Sequence, residues 1–326
     1  MKRRVVVCGA TGFIGRNVAE SLALHPAFDV IGIHHARPPF SHPGITWRQA
    51  DLTHRTQAGQ AIEGADIVIQ AAAVTSGASD IVQRPYIHVA DNAVMNSHLL
   101  RAAFEHKVGH FVFFSCSVMY PSSERPQKED DFADAGTIDP KYFGAACTKL
   151  YIERMCEFYA RIGETRFTVV RHSNVYGPHD KFDPERSHVF GATVHKALTS
   201  NDGRIMVWGD GQERRDLLYV SDLVDFVCRA LDRQTAPFGL YNVGSGEAVP
   251  VQSLVEEIVA ASGKNLRIEN DLRKPTIPIS IALDCTRAHR DLGWQPKMSL
   301  AEGIRQTLDW YRAAYGETPR PKTLAR

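Results

Sequence analysis

Three glycines near the start of the chain, Gly9, Gly12 and Gly15, have a spacing that could hold a phosphate group. They follow the apolar run 5–8, which is typical of a buried strand, and they open a segment whose apolar residues have helical spacing. In this arrangement Gly9 allows a tight turn, Gly12 lets the backbone approach a pyrophosphate, and Gly15 permits close packing of helix on strand. Because a helix N-terminus attracts negative charge, the segment predicts a dinucleotide-binding loop.

Strand-like and helix-like segments alternate along the first half of the chain. Short β-branched or aromatic runs occur at 5–8, 30–33, 67–69, 111–114 and 167–170, with amphipathic segments between them. This alternation predicts right-handed βαβ units and therefore an α/β fold, a Rossmann-type doubly wound parallel sheet. Such sheets bind ligands at the carboxyl ends of their strands.

The composition of the sequence changes after Tyr176, where Pro, Gly, Arg and His become frequent. We therefore expect a dinucleotide-binding domain over 1–176, to which residues 216–245 return, and a smaller α/β substrate-binding domain over 177–318. Apolar spacing in this second half predicts helices at 220–232, 251–262 and 300–315. Residues 319–326 are expected to form a frayed tail.

The composition excludes several classes of protein. The 326 residues are 44% hydrophobic and 23% charged, and 38 Lys and Arg balance 37 Asp and Glu, so we expect neither nucleic acid nor a membrane as partner. No apolar run approaches the roughly 18 residues of a membrane-spanning helix. The six cysteines are scattered, with no CxxC pair and no Cys/His cluster at zinc spacing. We therefore expect no metal site and a reducing, cytoplasmic location.

The GxxGxxG spacing, with Thr11, Phe13 and Ile14 inside the loop, resembles that of the extended branch of the short-chain dehydrogenase/reductase superfamily. Matching motifs extend over residues 4 to about 315, nearly the whole chain. The resemblance implies an NAD(P)-dependent nucleotide-sugar epimerase or dehydratase. It also implies further cofactor contacts from Asp51, Leu52, Ala71, Ala72, Ala73, Asn92, Lys149 and His172, and a substrate contact from Thr75.

The end of the second predicted strand distinguishes the two nicotinamide cofactors. An acidic residue there accepts from a ribose 2′-hydroxyl, whereas an arginine accommodates a 2′-phosphate. In this chain the segment 34–37 reads His-His-Ala-Arg and carries no carboxylate. We therefore expect NADP, with Arg37 at the phosphate, and keep NAD with a solvated Arg37 as the alternative.

The catalytic motifs of the superfamily are present in altered form. Its members carry Ser or Thr four residues before a Tyr-Pro pair, and a Tyr-x-x-x-Lys helix in which the tyrosine transfers a proton and the lysine holds the ribose. Here the residue four before Tyr120 is Cys116, with Ser117 beside it, and the lysine is Lys149, four residues after Ala145. The resemblance gives catalytic roles to Cys116, Ser117 and Lys149, but the usual tyrosine is missing.

The nearest upstream tyrosine is Tyr142, seven residues before Lys149. Seven residues rotate a helix by about 700°, roughly 20° short of two turns, so the two side chains share a face about 10 Å apart along the axis. With Asp139 as N-cap and Pro140 at the first position, we expect Tyr142 in the first turn. Either Tyr142 is the acid/base, or it anchors the helix start and hydride chemistry is weak or absent.

The substrate-side motifs resemble those of sugar-nucleotide enzymes. The run 171–178 is similar to the element RxxNxYGP, in which Asn174 contacts the phosphate, and His172 stands where proline is usual. The resemblance further gives Trp208 a stacking contact with the base and Arg215 a bidentate contact with the pyrophosphate. The alternatives are that Trp208 belongs to the core and that Arg215 is solvated.

The segment 179–189 is similar to that of GDP-L-fucose synthases, which are epimerase-reductases. His188 falls on the acid histidine of that group, with Val189 beside it at the substrate. The cysteine base of the group falls on Val118, so a double epimerisation is not expected.

These motifs favour a 4-ketosugar reductase, or an epimerase that passes through a 4-keto intermediate, with a GDP-sugar as the preferred substrate. A nucleotide-sugar dehydratase that uses Cys116 in elimination is the alternative, although the usual Asp-Glu pair falls on Ser117 and Val118. A dinucleotide-binding sensor without redox turnover is a further alternative. By the resemblance, helices near 92–105 and 149–161 form the interface of a homodimer.

Overall fold

A computed structural model of the protein describes residues 2–75, 84–132, 135–183, 187–274, 276 and 279–316. The strands in these ranges are β1 (Arg3–Cys8), β2 (Phe28–His34), β3 (Ile45–Gln49), β4 (Ile67–Gln70), β5 (His110–Phe114), β6 (Arg166–His172), β7 (Asn174–Tyr176), β8 (Arg204–Trp208), β9 (Arg214–Tyr219), β10 (Phe238–Val243), β11 (Ala248–Pro250), β12 (Arg267–Asp271) and β13 (Ser280–Ile281). The α-helices are α1 (Phe13–Ala23), α2 (Arg55–Ile62), α3 (Ala90–Glu105), α4 (Phe143–Ile162), α5 (Val189–Thr199), α6 (Val220–Arg233), α7 (Val251–Ser262), α8 (Thr286–Leu292) and α9 (Leu300–Tyr315).

The largest sheet has seven parallel strands in the order β10-β6-β5-β4-β1-β2-β3. The predicted Rossmann-type fold is therefore confirmed. Apolar side chains project from both faces of the sheet, since β4 and β5 are buried along their whole length and β1 along its last four residues. One face packs on α1 and α6, and the other on α2, α3 and α4. A parallel sheet needs helices on both faces to bury such strands.

A second, smaller region is built around β9. This strand pairs with β7 and β13 in parallel and with β11 in antiparallel orientation, while β8 and β12 form a separate parallel pair. Apolar residues of α5, α7 and α9 close over these strands in a core of their own. The region lies beyond the carboxyl ends of β6 and β10, where the chain leaves the large sheet.

The chain crosses between the two regions more than once. After β6 it passes through Ser173 into β7, which pairs with β9. It then returns, because β10 pairs with β6 and α6 packs in the same apolar cluster as α1. The cleft between the regions is thus lined by the ends of strands that lie far apart in the sequence.

The first helix begins at Phe13, within the glycine loop and directly after its turn. One expectation about a helix start is wrong in detail. Tyr142 is the N-cap of α4 and does not lie in its first turn. Its backbone N–H donates to the carbonyl oxygen of Asp139 at 2.9 Å, so residues 139–142 close a separate turn before the helix.

None of the helices in the described ranges is both long and apolar enough to cross a membrane. The tail expected at 319–326 lies outside the described residues.

Candidate active site

The glycine loop connects β1 to α1 at the carboxyl edge of the large sheet. Gly9 has a φ of 71°, and a Cβ there would lie 2.6 Å from the Cα of Ala72. A Cβ on Gly15 would collide with the carbonyl oxygen of Gly9. Gly12 donates its N–H to Gly9 at 2.9 Å, and α1 begins at Phe13 with no acidic residue in its first turn. This cradle and the open N–H groups of the helix start fit the pyrophosphate of a dinucleotide.

The residues expected at the adenosine end lie beyond this loop. The Arg37 guanidinium donates to the carbonyl oxygen of Thr11 at 2.8 Å, which holds it beside the glycine loop. Asp51 accepts from the backbone and the hydroxyl of Thr53 at 2.9 and 2.7 Å, and these bonds lower the pKa of its carboxyl. Leu52 is buried beneath it. The expected adenosine end therefore contains a cation, Arg37, and a carboxylate acceptor, Asp51.

Asn92 holds the segment that follows β4 through hydrogen bonds to the backbone. Its side-chain amide accepts from Val74 N–H at 2.9 Å and donates to the carbonyl oxygens of Val74 and His88 at 3.0 and 2.9 Å. These bonds hold the segment Ala71–Ala73 against Gly9. Since the amide is engaged in this way, Asn92 positions the loop by its hydrogen bonds to the backbone.

Lys149 extends from α4 to the end of β5. Its ammonium donates to the carbonyl oxygen of Phe114 at 2.7 Å and lies 4.7 Å from the centre of the Phe113 ring. Burial lowers the pKa of Lys149, while Cys116 and Glu153 act in the opposite direction. One ammonium N–H is thus anchored on the protein, and two remain for other acceptors.

Cys116 faces this ammonium. Burial raises the pKa of the Cys116 thiol, and Lys149 only partly offsets that effect, so the group is a thiol at neutral pH. The flanking hydroxyl of Ser115 points inward and donates to Glu153 at 2.5 Å. Ser117 is also buried, and its carbonyl oxygen accepts from Tyr120 N–H at 3.1 Å.

A buried ionic network lies under the loop that carries Cys116, and sequence reasoning missed it. The Arg171 guanidinium contacts Glu153 at 2.6 Å and donates to the Tyr120 hydroxyl at 2.9 Å. That hydroxyl donates to Asn242 at 2.7 Å, and Asn242 N–H donates to Glu129 at 2.8 Å. The Tyr120 phenol is therefore held away from the cleft. The only sequence signal for the network is the occurrence of Glu and Arg on strongly apolar elements.

Tyr142, at the N-cap of α4, belongs to a small apolar cluster that also includes Cys116 and Val118. Burial raises the pKa of the Tyr142 phenol, Arg215 lowers it, and Asp139 and Cys116 raise it further. The structure thus brings Tyr142 into one apolar cluster with Cys116 and within electrostatic range of Arg215.

Two imidazoles, that of the half-buried His172 and that of the exposed His188, complete this side of the cleft. His172 ends β6, and its Nδ1 lies 2.7 Å from the carbonyl oxygen of Ser173. Burial lowers the pKa of His172 to about 4, with Lys149 and His188 contributing. His188 is the N-cap of α5 and has an exposed side chain, but desolvation by the atoms around its ring, together with Lys181 and Arg215, lowers its pKa to about 4 as well. Both rings are neutral at pH 7.

The nucleotide side of the cleft is carried by β7, β8 and β9. Asn174 donates to the carbonyl oxygen of Asp216 at 3.1 Å, which ties β7 to β9. Arg215 donates to two backbone carbonyls at 2.9 and 2.7 Å. Trp208 ends β8, with the Lys274 ammonium 5.5 Å from its ring centre. The structure gives no contact between Trp208 and the residues around Lys149.

The two regions also contact each other across the mouth of the cleft. The Lys181 ammonium donates to the carbonyl and the hydroxyl oxygens of Thr75, both at 3.0 Å. Asn17 donates to the carbonyl oxygen of Pro178 at 3.0 Å. Val189 is the first residue of α5, directly after His188. Among the residues that the structure describes, no group of three or more His, Cys, Asp or Glu is placed to hold a metal ion.

Comparison with known proteins gives a consistent result. Residues 5–244 match the model of the NAD dependent epimerase/dehydratase family. The GDP-L-fucose synthase of Escherichia coli is 30% identical over 322 residues, covering 95% of this chain and 97% of that protein. The dTDP-4-dehydro-6-deoxy-D-allose reductase of Streptomyces bikiniensis is 29% identical, covering 95% and 96%. The UDP-glucuronic acid 4-epimerase structure from Bacillus cereus has a TM-score of 0.83 at 23% identity, covering 96% of this chain and 100% of the other.

The neutral imidazoles make stability depend on pH. His172 and His188 have folded pKa values of about 4, against 6.5 for an ordinary histidine. The unfolded chain therefore binds protons that the folded chain does not, and the stability that each ring contributes is complete above pH 6.5 and is lost as the pH falls towards 4. We expect His172 to cost about 2 kcal/mol between about pH 6.5 and 4.5, and His188 to cost less, because its side chain is exposed and solvent screens its interactions.

Urea unfolding of the wild type and of a His172→Asn/His188→Asn double variant over this pH range measures the effect. Burial raises the pKa of Asp180 to about 7, so the contribution of this group to stability changes with pH in the opposite direction. Asp180 is present in both proteins, and its contribution therefore cancels in the difference between them. The double variant should lose markedly less stability on acidification. Parallel curves would contradict the prediction.

Proposed function

The chain belongs to the NAD dependent epimerase/dehydratase family, and from this premise we propose that it is an NADP-dependent enzyme of nucleotide-sugar metabolism. Its substrate is a nucleotide-activated hexose or deoxyhexose, and its reaction is reduction of a 4-ketosugar or epimerisation through a 4-keto intermediate. The observation that supports this proposal is the apolar cluster that contains Cys116 and Tyr142, with Lys149 acting electrostatically on the first and Arg215 on the second.

The relatives favour a GDP-sugar within this class. A GDP-L-fucose synthase and a dTDP-4-dehydro-6-deoxy-D-allose reductase both match nearly the whole chain, and the first is slightly more similar. Residues 1–176, together with 216–245, form the cofactor half in this proposal, and residues 177–318 the sugar-nucleotide half. The six unpaired cysteines fit the reducing cytoplasm, in which we place the enzyme.

Different groups in the cofactor half of the cleft bind different parts of NADP. The N–H groups at the start of α1 bind the pyrophosphate, and Arg37 binds the 2′-phosphate. Lys149, anchored on Phe114, donates its remaining N–H groups to the ribose hydroxyls. When bound, the nicotinamide supplies or accepts the hydride.

The sugar half combines a proton donor with an anion clamp. Burial raises the pKa of the Tyr142 phenol, so it keeps its proton until the sugar oxygen takes it. The Cys116 thiol orients that oxygen, and Arg215 and Asn174 hold the pyrophosphate of the substrate. Because burial also raises the pKa of Cys116, its sulfur stays protonated at neutral pH and cannot accept a proton, and this disfavours the elimination expected of a dehydratase.

Replacing Tyr142 with Phe tests the role of the phenol. We expect NADPH oxidation with a GDP-4-keto-6-deoxyhexose to fall by about 10²- to 10⁴-fold, because the proton donor is lost. NADPH binding, followed by its fluorescence, should not change. Tyr159→Phe, a matched substitution further along α4, should leave both quantities unchanged. Full turnover by the Tyr142→Phe variant would rule out this assignment.

Replacing Arg37 with Gln tests the choice of cofactor. A charged hydrogen bond to the 2′-phosphate contributes about 1.5–3 kcal/mol, so the KM for NADPH should rise by at least about 10-fold. The KM for NADH should stay within about 2-fold, since NADH has no 2′-phosphate. Arg101→Gln on the outer face of α3 serves as the control. Equal changes in KM for NADPH and NADH would show that Arg37 does not bind the 2′-phosphate.

We also propose that the enzyme is a homodimer joined through α3 and α4. These adjacent helices leave several large apolar side chains between 37% and 52% exposed, namely Val94, Phe104, Phe143, Tyr151, Phe158 and Ile162. The Ser97 hydroxyl lies 3.2 Å from that of Tyr151, which joins the two helices into one surface. A contiguous apolar surface of this kind is characteristic of an interface.

Light scattering on the Phe158→Glu variant tests the dimer. A charge placed in the centre of a packed apolar interface is left unpaired, so the variant should be monomeric at concentrations at which the wild type is dimeric. Leu24→Glu introduces the same charge at an apolar residue that is 80% exposed elsewhere, and should leave the mass unchanged. A monomeric wild type would contradict the proposal.

A further inference from the structure

Two buried amide side chains lie beside the segment that follows β4. Gln70 is the last residue of β4 and is 1% exposed, and Asn96, on the buried face of α3, is 2% exposed. The other residues of β4 are apolar, and the buried face of α3 consists otherwise of Met, Leu, Ala and Asn92. Amides in such surroundings must find hydrogen-bond partners in each other or in the backbone.

The Gln70 amide pairs with both backbone groups of Ala72. Its Nε2 donates to the carbonyl oxygen of Ala72 at 3.1 Å, and its Oε1 accepts from the N–H of Ala72 at 3.2 Å. The side chain thus forms with Ala72 the pair of bonds that two residues exchange in an antiparallel sheet. These bonds hold the backbone of Ala72 in one place relative to the end of β4.

Asn96 sets the orientation of the Gln70 amide. Its Oδ1 accepts from Gln70 Nε2 at 3.0 Å, and its Nδ2 donates to the carbonyl oxygen of Asn92 at 2.7 Å. A reversed Gln70 amide would set its NH₂ group against the N–H of Ala72 and its oxygen against two acceptors. Only one orientation therefore satisfies every partner, and the pair of amides is fixed in direction.

The backbone of Ala72 lies directly against the glycine loop. A Cβ on Gly9 would lie 2.6 Å from the Cα and 2.7 Å from the N of Ala72. The carbonyl oxygen of Gly9 in turn accepts from Gly12 N–H at 2.9 Å and would collide with a Cβ on Gly15. Contacts this close prevent Ala72 from moving towards Gly9, and the bonds to Gln70 prevent it from moving away. The position of Ala72 thus limits the shapes that the loop can adopt.

We propose that Gln70 and Asn96 are positioning residues for NADP, which hold Ala72 against Gly9 and so keep the glycine loop in its binding shape before the cofactor arrives. This inference rests on the proposed function and extends it to two residues to which sequence reasoning gave no role. A loop that is already ordered loses less conformational entropy on binding, and its affinity for the ligand is therefore higher.

Replacing Gln70 with Met tests the proposal, because methionine keeps the length of the side chain and lacks the amide. We expect the Kd for NADPH, measured by the fluorescence of the bound cofactor, to rise about 10-fold, the effect of about one lost hydrogen bond. In NADPH oxidation with a GDP-4-keto-6-deoxyhexose, KM for NADPH should rise by a similar factor. The kcat and the KM for the sugar nucleotide should stay within about 2-fold. An unchanged Kd would overturn the proposal.

Hydrogen exchange of the cofactor-free protein measures the positioning without any ligand. Gln70 accepts from the N–H of Ala72, and Asn92 accepts from that of Val74, so peptides that cover 71–74 should exchange slowly in the wild type. In the Gln70→Met protein this segment should exchange about 10-fold faster, and peptides from β6 should not change. Equal exchange of 71–74 in the two proteins would contradict the proposal.

Thr168→Val is the matched control, because it also breaks a buried hydrogen-bond network in the large sheet. The Thr168 hydroxyl donates to Gln234 at 2.6 Å and lies 2.7 Å from Nε2 of His110, on a strand that β5 separates from β4. This variant should lose thermal stability, but its Kd for NADPH should match that of the wild type. An equal rise of Kd in both variants would show that Gln70 acts only through stability, against the proposal.

A second variant and the wild type complete the test. If Gln70→Met does not fold, Asn96→Ala takes its place, since it leaves Gln70 intact and removes the group that orients it; its Kd for NADPH should rise about 3-fold, and an unchanged value would overturn the proposal. A wild type that binds and oxidises NADPH as well as its variants do would keep the proposed function and remove only the positioning role. A wild type that binds neither NADPH nor NADH would refute the proposed function, and this inference with it.

Discussion

A single buried ion pair, between Arg171 on β6 and Glu153 on α4, holds the cleft together. Their side chains are 3% and 5% exposed, and the pair is 2.6 Å long. Breaking such a pair by removing one partner costs about 3–5 kcal/mol, because the other charge stays buried alone. Three residues of the cleft lie next to members of this network. Cys116 follows Ser115, and His172 follows Arg171. Lys149 lies one helical turn before Glu153. The network thus fixes the relative positions of a thiol, an imidazole and an ammonium that come from three separate elements.

This fixed framework explains how the cleft retains its geometry although the usual tyrosine is absent. Ala145 lies in the first turn of α4, one turn before Lys149, and Tyr142 belongs to the same small apolar cluster as Cys116. Arg215 acts electrostatically on the Tyr142 phenol and lowers its pKa. In the function proposed above, the proton donor therefore lies within electrostatic range of the arginine that binds the phosphates of the substrate.

The sequence was sufficient to predict the large sheet, since the runs that form β1, β4 and β5 are apolar and short enough to be only buried parallel strands. The glycine loop was also predictable, because its spacing reflects local sterics. The start of α4 was not, since Asp139 and Pro140 are good start signals but form a turn that ends at Tyr142. The ion pair between Arg171 and Glu153 depends on how β6 packs against α4, and no local pattern encodes this packing.

The overall charge of +1 conceals how the cleft is charged. Lys149 acts on His172, and Lys181 and Arg215 act on His188. Burial raises the pKa of Asp180 to about 7, so this carboxyl is only about half ionised at neutral pH and offsets only part of the positive charge. Positive charge of this kind attracts anions and also disfavours a further charge on either imidazole. The net charge of a chain is a sum over its whole surface, and it therefore does not describe the field inside one cleft.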